Sequence, residues 1–200
     1  GDWSSDVCSS DLNLVSGKIL KRGVVIMSEK VKEKSNFFKD WIMPIIVAIV
    51  ICFFTTKYLL FCSVISSGSM MPTLNKNDRV LVTRVYNTDT IKDGDIVVFS
   101  REDEEDPVVK RVIGVGGDKI SIKNGEVYRN GELIDEPYVE YKDDYTGDFE
   151  VPKDKFFFLG DNRSNSKDST VWDYPYIDKD DIIGKMQIKI YPFKDFGSVK

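Results

Sequence analysis

The sequence contains no histidine. That absence excludes every Ser-His-Asp and Cys-His mechanism built from this chain, and it removes the commonest protein ligand for zinc and iron. Cysteine is scarce as well. Cys8, Cys52 and Cys62 supply neither a disulfide framework nor a CxxC metal spacing, and the latter two read as small hydrophobes in apolar sequence. Positive charge is in the minority, with 28 Lys and Arg against 33 Asp and Glu, so a nucleic-acid partner has no electrostatic support. Internal repeats and low-complexity tracts are missing. A nucleophilic serine in such a chain needs another base, and lysine serves when its surroundings lower its pKa.

What is present fits one sizeable globular domain plus an anchor: 200 residues, 42% hydrophobic and 30% charged. Residues 1–26, opening on GDWSSDVCSSDL, read as a non-native extension, with Met27 as the natural start. Residues 27–40 form a charged segment in which Lys30, Lys32, Lys34 and Lys39 stand beside Glu29, Glu33 and Asp40. Residues 41–62 are apolar over a length that crosses the hydrocarbon core as a helix. Lys57 interrupts them near the far end, where its ammonium can snorkel to the interface, and Trp41 and Tyr58 suit the two interfaces. The lysines ahead of Trp41 predict a cytoplasmic N-terminus, so that residues 63–200 lie outside.

That outer region reads as all-β. Strand-like runs occupy 79–86, 96–99, 108–115, 156–159 and 186–191, and no convincing helical periodicity separates them. Asn124-Gly125 and Asn130-Gly131 predict a three-stranded meander over 119–134. Gly114-Val115-Gly116-Gly117-Asp118 is a turn and not a nucleotide loop, since it precedes a strand.

Three stretches hold chemistry-bearing side chains. Ser66-Ser67-Gly68-Ser69-Met70-Met71-Pro72-Thr73-Leu74 joins glycine, which lets backbone approach a ligand, to a proline that stiffens the exit. Lys110 interrupts the apolar run Val108-Val109-Lys110-Arg111-Val112-Ile113, and in apolar surroundings a lysine loses its proton more readily. Lys110 and Arg111 point to opposite faces of such a strand, so only one of them can face inside, and on this strand alone a solvated edge-strand lysine is the favoured reading. Residues 159–169 are rich in Ser, Asp and Asn, a polar turn or the brace of a site. Ser164-Asn165-Ser166-Lys167 matches S-x-x-K, but the partner motifs of penicillin-binding enzymes are absent.

Together these stretches resemble the type I signal peptidase family of bacteria. The resemblance rests on Ser69-Met70-Met71-Pro72-Thr73-Leu74, on Gly94-Asp95-Ile96-Val97-Val98-Phe99, on Val109-Lys110-Arg111-Val112-Ile113-Gly114, and on Gly160-Asp161-Asn162-Arg163 with Ser166, Asp168 and Ser169. It covers the chain from about Trp41 to the C-terminus. It implies a mainly β fold shared with LexA-like proteases, on one N-terminal transmembrane helix. It implies a membrane-bound serine endopeptidase that removes signal peptides with small residues before the cut, needing no cofactor or metal. By the same resemblance Ser69 is the nucleophile and Lys110 the general base. The Ser69 N–H and Ser67 hydroxyl form the oxyanion hole, Ser166 holds the Lys110 ammonium in line, and Asp168 is a supporting structural carboxylate of the last stretch. Ile65, Met70, Leu74, Val108 and Val109 fall where the family lines its substrate pockets. Two departures touch the last stretch: the arginine expected two residues after Asp168 is Thr170, and the glycine expected after Trp172 is Asp173. Two alternatives stay open here, a LexA-like self-cleaving protease and a non-catalytic membrane-tethered β domain.

Overall fold

An apolar helix comes first. The structure, a computed structural model, describes residues 38–199. The non-native extension expected at 1–26 and nearly all of the charged segment at 27–40 lie outside the described residues. Helix α1 (Met43–Phe54) is extended by wider helical turns at Phe38–Ile42 and Thr55–Leu59. Asp40–Leu59 is a helical run of 20 residues, and an 18-residue window within it has a mean hydropathy of 2.1, with none of that window buried inside the protein. About 20 residues at 1.5 Å each span the hydrocarbon core, so length and composition fit one membrane crossing. Pro44 lies near the start of α1, directly after the wider turns at Phe38–Ile42.

The helical run stops at Leu59, three residues short of the expected end of the anchor. Leu60–Val64 is instead a strand, β1, because its apolar side chains find a partner: Leu60 lies opposite Thr83 and Val64 opposite Arg79 in an antiparallel ladder. A short apolar run has no period that separates strand from helix end, and the neighbouring chain decides it. The protein divides into two compact units between Phe53 and Phe54, and the second is the β domain.

The β domain continues through β2 (Arg79–Arg84), β3 (Ile96–Phe99), β4 (Val108–Val115), β5 (Lys119–Lys123), β6 (Glu126–Arg129) and β7 (Glu132–Leu133). It then runs through β8 (Gly147–Glu150), β9 (Lys155–Leu159), β10 (Tyr176–Asp178), β11 (Ile182–Tyr191) and β12 (Gly197–Ser198). An eight-stranded sheet runs in the order β1-β2-β11-β3-β4-β9-β10, with β12 added on β11. A four-stranded sheet, β7-β6-β5-β8, contains the predicted meander, and its turns place Asn124, Gly125, Asn130 and Gly131 at positive φ.

The middle strands are covered on both faces. In β3, Ile96 and Val98 enter one core cluster with Ile65, Met70, Leu74, Val80, Val82 and Met186. Val97 and Phe99 enter a second, with Val112, Phe156, Phe158 and Ile177. A third cluster, built on Ile113, Ile120, Ile122, Phe157 and Leu159, joins the two sheets. Gly114 makes that junction close: a Cβ there would meet Ile120 Cδ1 at 2.9 Å.

Candidate active site

Strand β4 lies between β3 and β9, and both of its consecutive basic residues are buried: Lys110 is 3% exposed and Arg111 is 2% exposed. Only one was expected inside. The edge-strand reading of Lys110 fails because β4 is paired along both edges, with β3 and β9, and the lysine side chain is buried.

The two faces treat their charges differently. Arg111 donates from Nε to Asp161 Oδ1 at 2.8 Å and from Nη2 to Oδ2 at 2.7 Å, a bidentate pair. A third donor bonds the Gly94 carbonyl at 2.8 Å, and the Tyr138 ring lies 3.8 Å from the guanidinium. The charge is fully met. Lys110 donates to the neutral hydroxyl of Ser166 at 2.9 Å. Desolvation lowers its pKa to about 8, opposed by the more distant charges of Asp168, Glu104 and Asp161.

The serine loop, residues 65–78, joins β1 to β2 and sends Met70 and Leu74 into the first core cluster. Those two anchors, with Leu74 N–H bonding the Met70 carbonyl at 2.8 Å, fix the turn that holds Ser69, which is itself only 9% exposed. The loop is also tied to residues 160–162. Asn162 N–H bonds the Ser69 carbonyl at 3.0 Å, its side-chain amide bonds the Gly68 carbonyl at 3.1 Å, and Thr73 donates to Asp161. Gly160 is the point of closest approach: a Cβ there would stand 2.5 Å from the Ser69 carbonyl oxygen and 2.3 Å from Ser166 Oγ. Since Ser166 accepts from Lys110, this contact brings the serine loop and the lysine strand to one spot.

A cleft of about 610 Å³ opens there. Ser67, Ser69 and Lys110 line it, with Ile65, Met70, Val108 and Val109 as apolar wall and Glu104, Glu105 and Asp106 as an acidic rim. Ser67 Oγ lies 3.3 Å from Ser69 Oγ. The expected pocket set thus divides. Leu74 is not in the cleft wall; it is wholly buried beneath the loop and supports Met70 from the core.

Asp168 is buried, and its Oδ2 accepts from Gly160 N–H at 2.9 Å. Its Oδ1 accepts from the Thr170 hydroxyl at 2.8 Å and from Thr170 N–H at 3.2 Å. Sequence reasoning assigned no role to Arg111 or Gly160. A charged residue inside an apolar strand run was the available signal for the first, and Gly160 stood only as one residue of the matched stretch 160–163, with no role attached.

Comparison with known proteins adds an independent observation. A family model described as signal peptidase, peptidase S26, matches residues 38–191. The chain belongs to this family. Signal peptidase IB of Staphylococcus aureus (strain COL) is 41% identical over 177 residues, covering 78% of this chain and 91% of the relative. Signal peptidase I P of Bacillus subtilis subsp. natto is 38% identical over 178 residues, covering 83% and 96%. A crystal structure of a signal peptidase I from Enterococcus faecalis V583 aligns with a TM-score of 0.42 and 26% identity, covering 48% of this chain and 96% of that one. This signal peptidase is therefore a serine peptidase with an N-terminal apolar helix that fits a membrane anchor. Of its two departures from the family pattern, Thr170 replaces an ionic brace by a neutral hydrogen bond to Asp168. Asp173 is exposed and makes no contact that bears on the cleft.

Proposed function

We propose that Ser69 and Lys110 are the nucleophile and general base of this signal peptidase, and that the domain beyond the helix faces the outside of the bacterial plasma membrane. The observation that carries this reading is the buried Lys110, its pKa lowered to about 8, in one cleft with Ser69 in a chain without histidine.

A preprotein lies along the cleft with the small residue before the cut against Ile65, Met70, Val108 and Val109. Neutral Lys110 takes the proton as Ser69 Oγ attacks the scissile carbonyl. Negative charge then develops on the carbonyl oxygen, where the Ser69 N–H and the Ser67 hydroxyl donate to it. Collapse of this intermediate breaks the peptide bond, and the Lys110 ammonium gives its proton to the leaving amine. Water, deprotonated by the same lysine, hydrolyses the acyl-enzyme and frees Ser69. Ser166 holds the ammonium in line throughout, and no step needs a metal or cofactor.

The apolar helix and the lysines ahead of it support a cytoplasmic N-terminus, and the substrates are the signal peptides of exported preproteins. The decisive experiment incubates the detergent-solubilised protein with a preprotein, beside Ser69→Ala. Cleavage at the signal-peptide junction that vanishes in Ser69→Ala is the expected result. An active Ser69→Ala protein would contradict the assignment. Self-cleavage of this chain in place of preprotein cleavage would favour the LexA-like alternative. For the orientation, external protease on protoplasts should digest the β domain and spare an N-terminal tag.

A further inference from the structure

A second buried ion pair lies at the base of the nucleophile loop and takes no part in the chemistry above. Lys189 Nζ and Asp78 Oδ2 are 2.7 Å apart, with both side chains about 6% exposed. Asp78 closes the loop. Its carbonyl accepts from Ile65 N–H at 2.9 Å, and Asn77 N–H returns to the Ile65 carbonyl at 2.8 Å. The same carboxylate oxygen that meets Lys189 also accepts from Asn75 N–H at 2.9 Å. Between these hydrogen bonds Asn77 turns through the left-handed region at φ 71°.

Lys189 is itself held fast. It lies opposite Val80 of β2 and opposite Gly197 of β12, so its backbone is paired on both sides. The ammonium therefore fixes one carboxylate, and that carboxylate fixes the turn that ends the Ser69 loop.

A buried ion pair is a poor device for stability alone, because an apolar pair of similar volume often serves as well or better. It does supply direction. A hydrogen-bonded carboxylate admits few orientations, whereas apolar side chains slide. A nucleophile must stand within a fraction of an ångström of its productive position, so a small shift of the loop base reaches the rate.

We propose that Lys189 is a positioning residue of the peptidase: through Asp78 it holds loop 65–78 so that Ser69 stands in the cleft that Lys110 also lines. The proposal rests on Ser69 being the nucleophile.

The test compares full-length, detergent-solubilised Lys189→Met, Lys189→Arg and the double variant Asp78→Leu, Lys189→Met, with kinetics on a signal-peptide substrate at a temperature where each is folded. The double variant replaces the ion pair by an apolar pair, so it remains informative if Lys189→Met alone fails to fold. The expected result is a kcat about tenfold or more below the parent in the double variant, with KM within a few-fold and most of the rate kept in Lys189→Arg. A double variant whose kcat stays within about twofold of the parent would overturn the proposal and leave the pair a structural tie. Ser69→Ala in the same assay separates this failure from a failure of the nucleophile assignment, because only the latter leaves that variant active.

Discussion

The two faces of β4 hold one basic residue each, equally buried and adjacent in sequence, and they do opposite things with the charge. On one face Arg111 meets a carboxylate in a fork, a carbonyl and an aromatic ring, so ionisation is favoured and the group is permanently charged. On the other face Lys110 meets a hydroxyl in a cleft wall, and burial weakens its hold on the proton, lowering its pKa to about 8. Burial by itself is neutral about function. What separates a strut from a base is whether a full counter-charge was placed within hydrogen-bond reach.

Removing each charge should therefore have opposite consequences. Lys110→Met is expected to reduce cleavage on the order of 10⁴-fold, and Lys110→Arg equally, since a guanidinium gives up no proton near neutral pH. The same Lys110→Met change should raise stability at pH 7. The folded pKa of about 8 lies below the ordinary 10.5, so the wild-type penalty is full below pH 8 and fades as pH rises toward 10.5. The gain should reach roughly 3 kcal/mol at neutral pH and shrink in alkali, as melting curves across that range would record.

Arg111→Met should do the reverse. It leaves Asp161 buried without its counter-charge, which typically costs about 3–5 kcal/mol, and Thr73 and the nucleophile loop loosen with it. Denaturant unfolding measures that loss, and a neutral outcome would mean the pair is not the strut described. On the Lys110 face, Ser67→Ala should lower kcat by about 10²–10³ with little change in KM, as for a donor that acts on charge made in the transition state. A fall in melting temperature with kcat preserved would instead make Ser67 a loop-shaping residue. The smallest effect is expected at Thr170→Ala, about 1 kcal/mol of stability from the lost hydrogen bond to Asp168.

Much of this arrangement was legible in the residues. Short runs rich in branched side chains marked β3 and β4 to their ends, and the two Asn-Gly pairs marked the meander, because those signals are local. The strands that escaped notice owe their existence to partners. Gly147–Glu150 offers one apolar side chain, Phe149, and is a strand because β5 lies beside it. Leu60–Val64 passed for the end of a helix until β2 claimed it. At the site, Ser69 and Lys110 stood out by type and context, and the structure adds the wiring: Arg111 to Asp161, Gly160 against two loops, Lys189 to Asp78. Such ties join positions far apart in the chain, and no periodicity marks them. Leu74 shows the opposite error, an apolar residue near the nucleophile that belongs to the core.

In the proposed mechanism, burial without a counter-charge makes Lys110 a base near neutral pH. The pH dependence of kcat/KM on a soluble signal-peptide substrate tests it directly. Only neutral Lys110 accepts the proton of Ser69, so the rate should be low below the lysine's pKa, rise tenfold per pH unit, and level off above an apparent pKa of about 8. A profile still climbing toward pH 10.5 would show a solvated lysine, and one flat from pH 6 to 9 would show that Lys110 is not the base.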